Sequence, residues 1–226
     1  MDRLTFKETT NEKIITKAEV KKLVYPVFKR IFDICVGLVG VICLVPLMLV
    51  LKIANLLVGD KGKLIYTQER IGLRGKTFKL YKFRSMVENA DEILAEMLKD
   101  EEVRKEFEVK MKFENDPRIT KVGRVIRKLS IDETPQFINI LKGDMHLIGN
   151  RPYLPREIED MGSYYKDIVK TKPGLTGYWQ VNGRSNTTFK RRLQLENEYS
   201  NKANLWLDTK IFFKSLPTII LCRGAE

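Results

Sequence analysis

Two adjacent carboxylates, Asp132 and Glu133, stand in the stretch RVIRKLSIDETPQFINILKGDMHLIGNRP, residues 124–152. Arg127 and Lys128 precede them, and Arg151 lies near the end of the stretch, before Pro152. A carboxylate can attack phosphorus when it is ionised and when nearby cations neutralise charge on the phosphoryl group. Thr134-Pro135 reads as a helix start, with Thr as N-cap and Pro at the first helical position. The free N–H groups and dipole of such a helix favour ionised acids at its start. A purely structural reading fits the same residues: Ser130-x-x-Glu133 matches a capping box, with Asp132 filling the first turn. The stretch by itself leaves both readings open.

The rest of the chain supplies the charge and the scaffold. Its 226 residues allow one domain of ordinary size, and the net charge is +12. Residues 88–116 carry eleven acids against five bases, so the remainder stands at +18. Such an excess suits an anionic partner: nucleic acid, an anionic membrane surface or a phosphorylated substrate. Cys35, Cys43 and Cys222 have no metal-ligand spacing and read as reduced thiols facing cytosol or lipid. His146 is the sole histidine, which argues against a histidine triad or a multi-histidine metal site, and it reads as a surface or turn residue.

In chain order, residues 1–26 read as a polar, basic lead-in with a weak amphipathic helix and no secretory-signal pattern. Eighteen uncharged residues follow, Ile34 to Leu51, with Pro46 inside. From Asp33 to Pro46 a helix covers only about 20 Å, against a hydrocarbon core of about 30 Å. Basic residues flank both sides, which favours placing both ends on the cytoplasmic side. A re-entrant membrane helix-hairpin over 27–58, turning at Pro46, satisfies these facts; a buried core helix and a plain span are the alternatives. Residues 59–226 then read as the domain on the cytosolic side. Residues 64–66 and 78–83 alternate as strands of a small β-hairpin turning at Gly72, Arg74 and Gly75, on a surface of nine bases and two acids over 52–84. Residues 88–113 read as one charged helix and 157–169 as another. The segment 172–184 reads as a glycine-rich loop able to approach an anion closely. The apolar tail from Leu205 to Leu221 suits an interfacial amphipathic helix or a buried terminal one. The fold class expected is α+β, mostly helical, in a monotopic membrane protein.

These residues, taken in order over about 27–225, resemble the bacterial sugar transferases. Those are monotopic polyprenyl-phosphate phosphoglycosyl transferases that begin surface polysaccharide and glycan assembly. The matching motifs are Lys29-Arg30-x-x-Asp33, Gln68-x-Arg70-Ile71-Gly72, Tyr81-Lys82-Phe83-Arg84-Ser85-Met86 and Asp116-Pro117-Arg118. Asp132-Glu133-x-Pro135-Gln136, Gly143-Asp144-Met145, Arg151-Pro152, Pro173-Gly174-x-Thr176-Gly177-x-Trp179-Gln180-Val181 and Gly183-Arg184 continue the series. Two positions depart from the family pattern: Val45 stands where Ser often precedes the hairpin proline, and Asn150 replaces the first proline of Gly-Pro-Arg-Pro.

The resemblance implies a transferase moving a sugar-1-phosphate from a nucleotide diphosphate sugar, a UDP-sugar by family expectation, to polyprenyl (undecaprenyl) phosphate. Asp132 would be the nucleophile and Glu133 its metal or proton partner, the two holding Mg²⁺. Arg127 and Arg151 would neutralise phosphoryl charge, Lys82 and Arg84 would assist, and Arg184 would meet the nucleotide. The expected location is the cytoplasmic face of a bacterial inner membrane, with a homodimer left open. The chain would be a minimal catalytic form without the multi-span region of longer relatives. Two other classes compete: a basic membrane-associated nucleic-acid binder, for which no RNP, KH or helix-turn-helix pattern is present, and a non-catalytic membrane scaffold. Within the enzyme reading, transfer without a covalent intermediate is the alternative.

Overall fold

The structure, a computed structural model, describes residues 17–110, 113, 115–183 and 187–220. Residues 1–16 of the lead-in expected over 1–26 lie outside the described residues, as do Arg184 and Cys222. Helix α1 runs from Lys17 to Leu57, so the helix begins inside the expected lead-in. Pro46 lies within it and does not end it. The buried positions show why one helix suffices: Lys29, Asp33, Gly37, Leu44, Leu51 and Asn55 fall at helical spacing and form one stripe that crosses Pro46 without a break. Pro46 itself is on the exposed side, where the carbonyl it leaves unpaired is free of packing demands. Between those positions Phe28, Ile31, Leu38, Val39, Ile42, Val45, Leu49 and Ile53 are all exposed. The result is a helix with one side on the domain and an apolar side facing outward.

Strands β1 (Ile65–Ile71) and β2 (Thr77–Phe83) pair antiparallel from Ile65↔Phe83 to Ile71↔Thr77, the hairpin expected from the alternation. Its turn holds Arg74 and Gly75 in the left-handed region, at φ 57° and 79°. The charged segment forms two helices, α2 (Ala90–Met97) and α3 (Glu101–Lys110), in place of the single helix expected over 88–113. Asp100 causes the division, since its Oδ1 accepts the N–H groups of Glu102 and Val103 and so caps a new helix start. Helix α4 (Lys121–Lys128) is capped by Thr120, whose Oγ1 accepts from the Gly123 N–H at 2.8 Å.

Helix α5 (Gln136–Lys142) leads into strand β3 (His146–Ile148). Residues 157–169 are not one helix but short turns, with α6 (Ile158–Met161) and α7 (Tyr165–Ile168) separated at Gly162, φ 52°. The loop-rich segment contains strand β4 (Gly174–Thr176), parallel to β3, and helix α8 (Tyr178–Val181). A Cβ on Gly174 would stand 2.0 Å from the Gly149 nitrogen, so the two chains cross here only because glycine leaves the space. Helices α9 (Phe189–Lys202) and α10 (Leu205–Ile220) complete the described chain. Helix α10 buries Asp208, Ile211 and Ser215 and exposes Leu205, Trp206 and Phe213, which makes it amphipathic on the domain surface.

The main core gathers Leu80, Ile140, Met145, Leu147, Ile148, Tyr199 and Ile211 from β2, α5, β3, α9 and α10. A second cluster joins Leu44 and Leu51 of α1 to Phe83 and Ile126. Each such buried aliphatic contributes about 1.5–3 kcal/mol relative to exposure. Polar bonds fix the other end of α1. Lys29 pairs with Asp208, which also accepts from the hydroxyls of Tyr25 and Tyr199. Arg30 donates to the carbonyls of Ile140 and Leu141 at 2.6 and 2.7 Å, capping the C-terminus of α5. Asp33, 1 % exposed, accepts the Leu147 N–H at 2.8 Å and bonds the His146 ring. The histidine expected as an ordinary surface or turn residue is therefore part of the joint between α1 and β3.

Candidate active site

Asn139 sets the register between the carboxylates and their cations. Fully buried on α5, it accepts the Tyr81 N–H at 3.0 Å and donates to the Lys79 carbonyl at 2.7 Å and to Asp144. It therefore stitches α5 to the outer edge of β2, and the residue after Tyr81 is Lys82. Lys82 Nζ lies 2.9 Å from Glu133 Oε1. Asp132 and Glu133 sit on a short 3-10 turn, Ile131–Glu133, entered through Ser130 at φ 56°. The local structure differs from the helix start read from the sequence. Helix α5 begins at Gln136 after Pro135, and the Thr134 hydroxyl donates back to the Ile131 carbonyl at 2.8 Å. The capping box is absent too, because Ser130 makes no side-chain cap bond and Glu133 is committed to Lys82. The structural reading of these two acids thus loses its main support.

Glu133 opens onto a cleft of about 40 Å³ lined by Arg70, Lys82, Gln136, Arg151, Trp179 and Gln180, among others. This is the size of a small anion, far below the roughly 300–1,000 Å³ of pockets that engulf larger ligands. Arg70 reaches it from β1, with its guanidinium bonded to the Pro152 carbonyl and to Gln68. Arg151 is placed by its own backbone, whose N–H donates to Glu196 Oε1 at 2.8 Å. Arg192 lies 4.5 Å from the Trp179 ring centre, so the indole that lines the cleft rests on a third guanidinium. The Nε–H groups of Arg70, Arg151 and Arg192 are all buried without a hydrogen-bond partner. Buried donors are nearly always paired, and the two of these whose arginines line the cleft, on Arg70 and Arg151, are what a bound anion would satisfy.

The electrostatics separate the two acids. Burial raises the Glu133 carboxyl, but Lys82, Arg151 and Arg70 outweigh it and hold it below the usual carboxylate range. Asp132 goes the other way: burial pushes it up to about 6, against Lys82 and Arg127 and aided by Glu133. At neutral pH both are mostly ionised, Asp132 as the more basic of the two. Arg127, in the last turn of α4, acts on Asp132 through its field. Arg84 is not brought to the cluster. Its guanidinium is taken up by Asp60 at 2.6 Å and by the carbonyls of Lys63 and Met86, where it clamps the segment after α1. Arg184 lies outside the described residues.

Sequence reasoning gave no role to Arg70, Arg192, Trp179 or Glu196. Glu196 carried a signal, since it falls three residues after Leu193 and three before Tyr199, an acid in the buried stripe of α9. Asn150, which replaces a family proline, donates to Ile168 O, Thr171 and Ser200, so three hydrogen bonds hold the chain before Arg151.

The arrangement defines a mostly helical protein with a cleft lined by arginines and a lysine, and paired carboxylates beside a helix with an apolar outer side. Comparison makes the class particular. The bacterial sugar transferase family model matches residues 24–222, and the chain belongs to that family. It is 39 % identical to the exopolysaccharide production protein ExoY of Sinorhizobium fredii, over 87 % of each chain. An undecaprenyl-phosphate galactose phosphotransferase of Salmonella typhimurium is 43 % identical over 87 % of this chain and 41 % of its own length. An uncharacterized sugar transferase of Haemophilus influenzae is 42 % identical over 90 % of this chain and 43 % of its own. The chain thus spans less than half the length of two of these relatives.

Proposed function

We propose that the chain transfers a sugar-1-phosphate from a nucleotide diphosphate sugar, a UDP-sugar in the first instance, to polyprenyl phosphate, as an early step of surface glycan synthesis. The observation that carries this reading is the pair of buried, unpartnered arginine Nε–H groups, on Arg70 and Arg151, in a cleft that Glu133 and Lys82 also line. An oxygen of Asp132 attacks the β-phosphorus, and the bond from that phosphorus to the bridging oxygen breaks. The nucleoside monophosphate leaves, and the sugar phosphate remains on Asp132. An oxygen of the lipid phosphate then attacks the same phosphorus and frees the carboxylate. Arg151, Arg70 and Lys82 stabilise the charge that builds in both steps, the kind of effect that dominates phosphoryl transfer.

Among the described residues no third His, Cys, Asp or Glu joins Asp132 and Glu133. Two carboxylates completed by substrate phosphates and water are nonetheless a usual Mg²⁺ set, so the pair fits this ion, which would screen the pyrophosphate charge. The fixed stripe of α1 supports placing the protein on one side of a membrane. Both arms of the helix and its middle are held by one polar domain, so the helix cannot carry one end across a bilayer of about 30 Å without that domain. The helix is unbroken at Pro46, where a re-entrant hairpin was expected to turn, so a shallow seat at the cytoplasmic face of a bacterial inner membrane, with the exposed side of α1 in lipid, is the placement proposed.

The test is to incubate detergent-solubilised protein with Mg²⁺ and radiolabelled UDP-sugars, without lipid acceptor, and to look for label on the denatured chain. Label on the wild type and none on Asp132→Asn supports the covalent route and identifies the sugar. Product formed with polyprenyl phosphate but no trapped label would leave direct transfer as the mechanism. Neither label nor product with any nucleotide sugar would sink the transferase reading.

A further inference from the structure

Helix α1 carries its apolar outer side to its very end: Leu49, Ile53, Leu56 and Leu57 are exposed, Leu57 by 83 %. The chain then leaves the helix at Gly59, φ 78°, and the Asp60 N–H bonds the Asn55 carbonyl at 2.8 Å, which fixes the direction of the loop. Directly beyond lies an open recess of about 440 Å³, lined by Asp60, Lys61, Lys63, Arg84, Val87 and Glu88 among others. Its frame is held by hydrogen bonds. The Arg84 side chain, 9 % exposed, donates to Asp60 Oδ1 and to the Lys63 and Met86 carbonyls. Asp60 Oδ1 also accepts the Gly62 N–H at 3.0 Å, and Glu88 Oε1 accepts the Lys63 N–H at 3.3 Å. Arg84 is thus spent on the frame. Lys61 and Lys63 are exposed, and among the described residues their ammonium groups make no ion pair or hydrogen bond. Lys52 of α1 adds its field at Asp60. Four cations here stand against two carboxylates.

We infer that this recess binds the headgroup of an anionic, hydroxylated phospholipid of the phosphatidylglycerol kind, with its phosphate between Lys61 and Lys63. The inference rests on the lipid seat of α1 proposed above and is independent of the transfer chemistry. Charge selects a phosphate, because the cations are in excess and two ammonium groups are free to hold it. Volume selects more than a bare ion, since the recess is within the range of sites for small organic groups. The second carboxylate oxygens of Asp60 and Glu88 have no partner among the described residues, so hydroxyl donors beside the phosphate have acceptors to meet. A zwitterionic headgroup brings no net charge to offset the cations. Position selects the source. Leu49, Ile53, Leu56 and Leu57 lie along one side of the helix up to the recess, so acyl chains continue from the headgroup along an apolar run that a soluble anion could not use.

The test uses the full-length protein in detergent micelles doped equally with phosphatidylglycerol and phosphatidylethanolamine, and native mass spectrometry reads the lipid that stays bound. Wild type should retain phosphatidylglycerol in preference. Lys61→Gln/Lys63→Gln should weaken that retention about 10-fold or more, the effect of two lysine contacts at a lipid headgroup. Lys166→Gln/Lys190→Gln removes the same charge from exposed positions outside the recess and should leave retention unchanged. Both double variants should unfold at the wild-type temperature, as exposed substitutions do. Equal retention of the two lipids, equal loss in the two double variants, or normal retention without Lys61 and Lys63 would overturn the inference. Displacement of the lipid by an equal concentration of soluble glycerol phosphate would overturn it too, by making the recess a site for a free anion. Wild type that retains neither lipid would overturn it together with the lipid seat of α1, while labelling of Asp132 by donor decides the transferase reading separately.

Discussion

Glu133 and Glu196 both feel the charge of Arg151 and meet opposite fates. Glu133, with its side chain 40 % exposed, is bonded to Lys82 and held in its ionised form. Glu196, 1 % exposed, accepts the Arg151 N–H, yet burial pushes it up to about 7 despite Arg151 and Arg192. A direct cation contact decides which acid keeps its charge; general proximity to arginines does not. The front of the cluster is thus a charged site open to ligand, and the back is a buried frame that positions it. Asp132, at about 6, stands between the two.

Removing the cation they share should have the largest effect. Arg151→Ala should slow donor labelling of Asp132 by about 10²–10³-fold, the usual loss when one stabiliser of transition-state charge is removed. Rapid-quench labelling checks this, and a loss of only a few fold would place Arg151 in the frame alone. Next comes the protonation of Asp132, the nucleophile of the proposed covalent route. Asp132 must be ionised to attack, so the labelling rate should fall about tenfold per pH unit below about 6 and stay flat above it. An inflection near 4 would mean that burial does not raise this acid.

The back side should respond in stability and with the opposite sense. Glu196 ionises near pH 7 in the folded chain against 4.5 as the reference. Its folded pKa is raised, so stability is lost as pH climbs from 5 through 7. Glu196→Gln, which stays neutral and still accepts the Arg151 N–H, should be more stable than wild type at pH 8 by about 1–3 kcal/mol in chemical unfolding. The gap should close towards pH 5, and a variant less stable at pH 8 would show a net favourable charge at this site. The smallest effect is expected at Glu198, whose exposed bond to Lys202 lies further along the same helix. Glu198→Gln should leave the unfolding temperature unchanged.

Much of the frame was legible because its signals are local. The β-hairpin followed from alternation and from Gly75 at its turn, and the apolar outer side of α1 followed from its uncharged run. The buried stripe of that helix was harder to see, because Lys29, Asp33 and Asn55 interrupt the hydrophobic pattern and are satisfied by residues far along the chain. The site divides in the same way. Asp132, Glu133, Lys82 and Arg151 were legible from residue type and motif. Arg70 and Arg192 were not, because their meeting at Trp179 and Pro152 depends on how β1 and α9 pack. Arg84 shows the converse error, a cation of the right type whose partner, Asp60, lies beside it in the fold and not at the site.

Gly40 of α1 has a further consequence. A Cβ there would stand 2.3 Å from the Phe137 ring, and one on Gly37 would stand 2.8 Å from Leu141. The helix therefore fits the domain as a moulded part. Anchors that merely tether are exchangeable, and chimeras that swap one apolar segment for another usually tolerate it. Here a borrowed segment would need small residues, a lysine and an aspartate at the same spacing, so the apolar outer side of α1 and the shape of the domain it packs on must be inherited together.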